Sequence, residues 1–349
     1  MSVLALVPRL AATRLAQRRG RPGTPYKLEL FVTWRCPSRC ATCTLWQRAP
    51  GPELAPAEWE AVVGSLGARL LWLSVTGGEA AVRPDLGELL VRATRAAPRL
   101  LYLNLSSNGQ RGADLERALA ELLAAGGPPR VAVTLSLDGL GAAHDRRRGV
   151  PGAFERMLET ARRLGALRSR EPRLAFGFQI TLAAANLDEW PALAAFARTH
   201  AGGLSPVFSP ATDGALLTGP GLGVDLRGVA QDAIPRVEAL RDGLPCRFAE
   251  DVVTRRYLAT VPGFLASGLA PVPCTAGYAS LTLLPDGEVR RCDSLDETLG
   301  GVRELGFDLR RLPTTERFRR AFEARPECRA CWTPCQAYPS LMQRPFPLR

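Results

Sequence analysis

Short apolar runs recur along the chain at regular intervals. KLELFVT (27–33), LLWLSVT (70–76), LLYLNL (100–105), VAVTLSL (131–137), 173–181 and 204–208 each have the length and apolar content of a buried strand. Between them lie longer stretches with apolar residues at helical spacing: 56–68, 84–97, 112–125, 152–167 and 188–200. Six strands alternating with helices predict parallel β/α units wrapped into a barrel or an open sheet. Such folds gather their chemistry at the carboxyl ends of the strands. The polar motifs fall there: Cys36 after the first strand, Gly77-Gly78-Glu79 after the second, Asn108 after the third and Asp138 after the fourth.

The pattern changes near residue 242. Pro245, Pro262, Pro271 and Pro273 interrupt it. Leu281–Leu284, an Asp286-Gly287 turn and Glu288–Arg291 predict a β-hairpin. A helix is expected over 314–324, and irregular chain from Cys328 to Arg349. The expected organisation is a basic extension over 1–26, a β/α domain over 27–241 and a small cysteine-rich α+β module over 242–349. In the extension, Leu4, Leu6, Leu10 and Leu15 mix with Arg9, Arg14, Arg18, Arg19 and Arg21 around Pro8. It lacks the apolar core and cleavage site of a signal peptide and is read as a leader packed on the domain.

Composition narrows the chemistry. The chain has 349 residues and a formal charge of +11. Lys27 is the only lysine, isoleucine occurs only at 180 and 234, and asparagine only at 104, 108 and 186. This is a compositional bias, and the arginines are spread over helix faces, so the charge reads as solvated surface rather than a nucleic-acid footprint. No run of 18 apolar residues predicts a membrane span. With only His144 and His200 available, metals must be held by cysteine. His144 is read as a surface or loop residue.

Nine cysteines supply that sulfur. Cys36, Cys40 and Cys43 have the spacing C-x3-C-x2-C directly after a strand. A disulfide framework needs an even set and an oxidising compartment, and a structural zinc site wants four ligands. Three thiolates suit an iron–sulfur cluster with one iron left open. Cys274 and Cys292 flank the hairpin, and Cys328, Cys331 and Cys335 follow near the end. Cys246 stands alone and is expected to be a small buried apolar residue.

The three-cysteine loop after the first strand, with Gly77-Gly78-Glu79 after the second, resembles the radical S-adenosylmethionine (radical SAM) superfamily. The resemblance implies a partial (β/α)6 barrel and a 4Fe–4S cluster on Cys36, Cys40 and Cys43. Its open iron is chelated by S-adenosylmethionine, whose reductive cleavage gives a 5′-deoxyadenosyl radical that abstracts a substrate hydrogen atom. It assigns cofactor contacts to Gly77, Gly78, Glu79, Ser106, Asn108, Ser136 and Arg148. Thr42 stands where the family usually has an aromatic residue beside the adenine, with Trp46 nearby. The second cysteine set resembles the SPASM and twitch modules. With five cysteines rather than seven, it implies one auxiliary 4Fe–4S cluster on four of Cys274, Cys292, Cys328, Cys331 and Cys335. Cys274, Cys292, Cys328 and Cys331 are favoured, with zinc as the alternative occupant.

The function expected from this resemblance is oxidative modification of a peptide or protein side chain. The cofactors are S-adenosylmethionine and the two clusters, and the partner is a reductant such as flavodoxin or ferredoxin in a cytoplasmic setting. Dehydrogenation of a sugar or aminoglycoside-like small molecule, and a non-catalytic iron–sulfur or zinc protein, are the alternatives.

Overall fold

The computed structural model describes residues 7–19, 23–211, 216–217, 225–246, 249–324 and 328–344. Leu4, Leu6, Arg21 and the last five residues lie outside them. Six strands form the parallel part of one sheet: β1 (Lys27–Phe31), β2 (Trp72–Thr76), β3 (Tyr102–Ser107), β4 (Arg130–Ser136), β5 (Leu174–Leu182) and β6 (Val207–Pro210). The helices α2 (Pro56–Leu66), α3 (Leu86–Ala96), α4 (Gly112–Ala124), α6 (Ala153–Arg168) and α7 (Trp190–His200) connect them. The expected α/β partial barrel is present, and five of the strands and all five helices lie within a few residues of their expected positions.

Strand periodicity builds two surfaces from one sequence. Leu28, Leu30, Leu73, Val75, Leu103, Leu105, Val131, Val133 and Leu135 are fully buried in the core. Their strand neighbours Lys27, Glu29, Ser74, Asn104, Ser106, Thr134, Ser136, Gln179 and Thr181 line a central cavity of about 940 Å³. Helix packing closes the outer face. Pro56 opens α2, where the Glu58 side chain accepts from the Ala55 amide at 2.9 Å, and α2 buries Trp59, Val62 and Val63. Complete burial of a large apolar side chain contributes roughly 1.5–3 kcal/mol relative to exposure.

The hairpin expected near 281–291 is there, and it continues the barrel sheet. Strand β7 (Ser280–Leu283) pairs in parallel with β1, Lys27 opposite Ser280 and Leu30 opposite Leu283. It turns at Gly287, φ +93°, into β8 (Glu288–Arg290), and β9 (Thr298–Gly301) completes a nine-stranded sheet of order β6-β5-β4-β3-β2-β1-β7-β8-β9. The helix expected over 314–324 is α10 (Glu316–Ala324).

Several elements depart from expectation. The segment Ala142–Arg148 is a short helix, α5, and α8 (Ala230–Asp242) and α9 (Ala249–Ser267) fill chain for which the apolar pattern predicts no element. The cysteine-rich end is partly helical: α11 (Pro334–Met342) starts on a proline, which is tolerated in a first turn because its missing N–H would have no partner there. Pro235, Pro262 and Pro339 lie inside helices, where packing of Val237, Tyr257, Leu258 and Leu341 into the core overrides the local penalty. The basic leader contains helix α1 (Val7–Arg18), whose Leu10 packs on Tyr26, Leu71 and Ala279. His144 is fully buried on α5 rather than at the surface, and Cys246 is exposed rather than buried. Among the described residues no helix is long and apolar enough to cross a membrane.

Candidate active site

The loop carrying Cys36, Cys40 and Cys43 is clamped between two backbones. On one side Gly78 donates to Thr33 O at 2.8 Å and Glu79 to Arg35 O at 2.9 Å. A Cβ on Gly77, φ +142°, would lie 2.5 Å from Thr33 O, and one on Gly78 would lie 2.4 Å from Arg35 O. The glycine pair is required because two chain segments touch there. On the other side Arg39 donates to Arg148 O at 2.8 Å and Ala41 to Arg147 O at 3.0 Å.

The strand-end residues converge on this loop. Asn108 Nδ2 reaches Ser38 Oγ at 3.1 Å and Cys36 Sγ at 3.7 Å. Arg148 Nη1 donates to Cys40 Sγ at 3.5 Å, and its Nη2 pairs with Asp138 Oδ2 at 2.9 Å. Ser106 shares a hydrogen bond with Thr134 at 3.2 Å. Ser106, Asn108, Ser136, Arg148, Thr42, Trp46 and both glycines line the cavity with the three cysteines. Glu79 is placed differently. Its carboxylate accepts from Ala81 N at 3.1 Å, Ser107 Oγ at 3.0 Å and Asn108 N at 2.6 Å, so it pins the end of β3. His144 accepts from Asp138 N at 3.3 Å and stays out of the cavity wall. Burial, reinforced by the Arg148 charge, lowers its pKa to about 4.

The residues fit a polynuclear cluster and an anionic ligand. Among the described residues no three cysteine sulfurs lie within 4.8 Å of one another. Thiolates around one tetrahedral zinc stand about 3.8 Å apart, so the spacing is wide for a single ion. Burial pushes the Cys36 thiol up to about 12 and also raises Cys43, as expected for sulfurs waiting on a positive centre. Arg148 Nε and Asp138 Oδ1 are buried without a partner at the cavity wall, a free donor and acceptor beside the cysteines.

The second set divides. Cys274, Cys292 and Cys331 are buried, Cys274 N donates to Cys328 O at 2.9 Å, and Cys328 packs on the group formed by Cys274, Ala276 and Cys292. Burial and the neighbouring sulfurs push Cys274 up to about 12; burial and the Asp293 charge push Cys331 up to about 11. Cys335 faces elsewhere. Its sulfur lies within 4.8 Å of the Glu29 and Asp293 carboxylates, and Lys27 Nζ donates to its carbonyl at 2.7 Å. These four residues line the central cavity. Burial, then the Glu29 charge, raises the Asp293 pKa to about 6.

Lys27, Glu29 and Asp293 are the site residues that motif reading passes over. The signal for the first two is in the sequence: alternating charges inside an otherwise apolar strand, KLELF, belong on the polar side of a barrel wall.

Comparison with known proteins places this chain among similar folds. Residues 30–194 match the family model of the Radical SAM superfamily. This stretch is a radical SAM domain. The chain is 30% identical over 167 residues to the sporulation killing factor maturation protein SkfB of Bacillus subtilis, covering 47% of this chain and 38% of that protein. It is 26% identical over 285 residues to the PqqA peptide cyclase of Granulibacter bethesdensis, covering 80% and 70%. Streptococcus suis SuiB bound to its precursor peptide SuiA has the same fold, with a TM-score of 0.57 at 14% identity over 88% of this chain and 68% of that one. The chain thus spans about two fifths of the length of SkfB.

Proposed function

We propose that this chain is a radical SAM enzyme that oxidatively modifies a side chain of a peptide or protein. The observation that carries the reading is the placement of Cys36, Cys40 and Cys43 at the wall of a cavity of about 940 Å³ to which every barrel strand contributes at least one polar side chain. Cys36, Cys40 and Cys43 would hold one 4Fe–4S cluster, and Cys274, Cys292, Cys328 and Cys331 an auxiliary one. When bound, the first cluster and S-adenosylmethionine supply a 5′-deoxyadenosyl radical that removes a hydrogen atom from the substrate.

The protein's own part is positioning and proton handling. Gly77 and Gly78 let the cysteine loop and the cofactor approach the end of β2 without a Cβ between them. Arg148 Nε offers a free donor to a carboxylate, and Asp138 Oδ1 a free acceptor to an ammonium group. Asn108, hydrogen-bonded to Ser38, and Ser136 add polar groups to the cavity lining. Oxidation of a substrate carbon releases a proton, and the Asp293 carboxylate, next in sequence to Cys292 and titrating near 6, is placed to accept it. The names of the peptide-handling relatives support a peptide as substrate.

The test is anaerobic reconstitution followed by dithionite reduction in the presence of S-adenosylmethionine. 5′-Deoxyadenosine forms, and Cys36→Ala abolishes it; its absence from the parent protein overturns the enzyme reading. With a deuterated peptide encoded beside the gene, deuterium passes into 5′-deoxyadenosine. Transfer from an aminoglycoside instead would select the small-molecule dehydrogenase.

A further inference from the structure

The first 26 residues contain five arginines and no aspartate or glutamate. Elsewhere the arginines are widely matched, as in Arg163 with Glu116, Arg173 with Glu171 and Arg130 with Glu250. On α1 and just after it they are not: Arg9, Arg14, Arg18 and Arg19 have no ion-pair partner among the described residues. Arg14, Arg18 and Arg19 are exposed.

This unpaired charge sits over the second cysteine set. Gln17 Nε2 donates to the Cys274 carbonyl at 3.0 Å, so α1 is one hydrogen bond from a residue of that set. Beside it is a cavity of about 160 Å³ lined by Arg14, Gln17, Arg18, Thr275, Gln343 and Arg344, among others. Gln343 is only 4% exposed, yet neither its amide nitrogen nor its amide oxygen has a hydrogen-bond partner. The Tyr26 hydroxyl lies against it without closing a bond. The unpaired guanidinium groups of Arg14 and Arg18 and a buried unsatisfied amide around one small cavity form a binding site for a carboxylate.

We propose that this cleft is the docking site of an acidic one-electron carrier protein, with a surface carboxylate of the carrier seated between Arg14 and Arg18. The inference rests on the auxiliary-cluster reading of Cys274, Cys292, Cys328 and Cys331. A substrate peptide would have to reach the barrel cavity, and the cleft shares no lining residue with it. An electron carrier needs only to come close to a cluster ligand, and Thr275 at the cleft is the residue after Cys274. With the cluster in place the step would be a single outer-sphere transfer, in which the carrier loses the one electron that the cluster held by Cys274, Cys292, Cys328 and Cys331 would gain, and no bond is made or broken. Opposite charge on the two surfaces steers the encounter and makes it salt-dependent.

The test uses the full chain with its clusters reconstituted, flavodoxin as the probe, and the exposed double substitution Arg14→Glu with Arg18→Glu. Binding of flavodoxin, followed calorimetrically, weakens at least tenfold in the variant, and its dependence on salt flattens. Stopped-flow reduction by flavodoxin hydroquinone slows by a similar factor, whereas dithionite reduces parent and variant at one rate. Gln343→Leu weakens binding with the surface charge intact. Unchanged flavodoxin affinity in the double variant overturns the proposal, as does a loss confined to an acidic peptide. Iron content is measured on the same samples. About four irons and one zinc per chain would refute the auxiliary cluster, while the binding result would still decide the docking site.

Discussion

The Arg148 guanidinium bridges Asp138 and Cys40, with Nη2 on the carboxylate at 2.9 Å and Nη1 on the sulfur at 3.5 Å. Burial alone would make this arginine easier to deprotonate, but the charges of Asp138 and the Cys40 sulfur more than offset it, so its pKa is raised. The bridge joins the end of β4, helix α5 and the cysteine loop in one buried contact. Arg148→Leu leaves Asp138 buried and unpaired, a change that costs about 3–5 kcal/mol. Urea unfolding of the apo-protein should show a loss of that order, with Arg148→Lys recovering part of it.

Gly78→Ala tests the clamp. The added methyl would stand 2.4 Å from Arg35 O and 2.6 Å from Trp34 O, both backbone atoms that cannot swing aside. Overpacking of this kind costs roughly 1–3 kcal/mol. The expected result is a lower midpoint of thermal unfolding and a cysteine loop that no longer takes up its iron on anaerobic reconstitution. Gly263→Ala, which meets nothing within 4 Å, serves as the control.

The division of the second cysteine set predicts an asymmetry in iron content. Cys292→Ser should drop the reconstituted protein from about eight irons per chain to about four, whereas Cys335→Ser should retain about eight. Equal losses in the two variants would place Cys335 among the ligands.

His144 predicts a pH dependence. Its pKa is lowered to about 4, chiefly by burial, from an ordinary value of 6.5. The unfolded chain therefore binds a proton at higher pH than the folded one. Stability is complete above about pH 6.5 and declines as the pH falls towards 4, by about 3 kcal/mol for this residue. The difference in unfolding free energy between the parent and His144→Gln, measured at pH 7.5 and at pH 4.5, should shrink by that order.

Much of this is legible in the chain itself, because strand and cluster signals are local. The runs at 27, 70, 100, 131 and 173 are strands, and the three-cysteine loop follows the first of them. What is not legible depends on tertiary placement. Pro334 reads as punctuation, but it begins a helix whose Ala337 and Leu341 enter the core. Cys335 follows closely on Cys331 in the chain, yet its sulfur faces Glu29 and Asp293 because α11 turns it toward the barrel. Glu79 belongs to a motif that reads as cofactor-binding, and its hydrogen bonds run to Ala81, Ser107 and Asn108. His144 lies in a run of polar residues that gives no hint of burial, since what covers it includes Phe154 from the next helix.

The pairing of β1 with β7 joins residues about 250 positions apart, as in Lys27 opposite Ser280. During synthesis the outer edge of β1 is made first and must wait, hydrogen-bonding groups unpaired, until the last quarter of the chain emerges. Contacts of such long sequence separation close slowly, and an unpaired parallel edge is a template for association with other chains. The strand that leads into the cysteine loop is therefore the part of the nascent protein most in need of shelter, and the hairpin that follows Cys274 is what finally provides it.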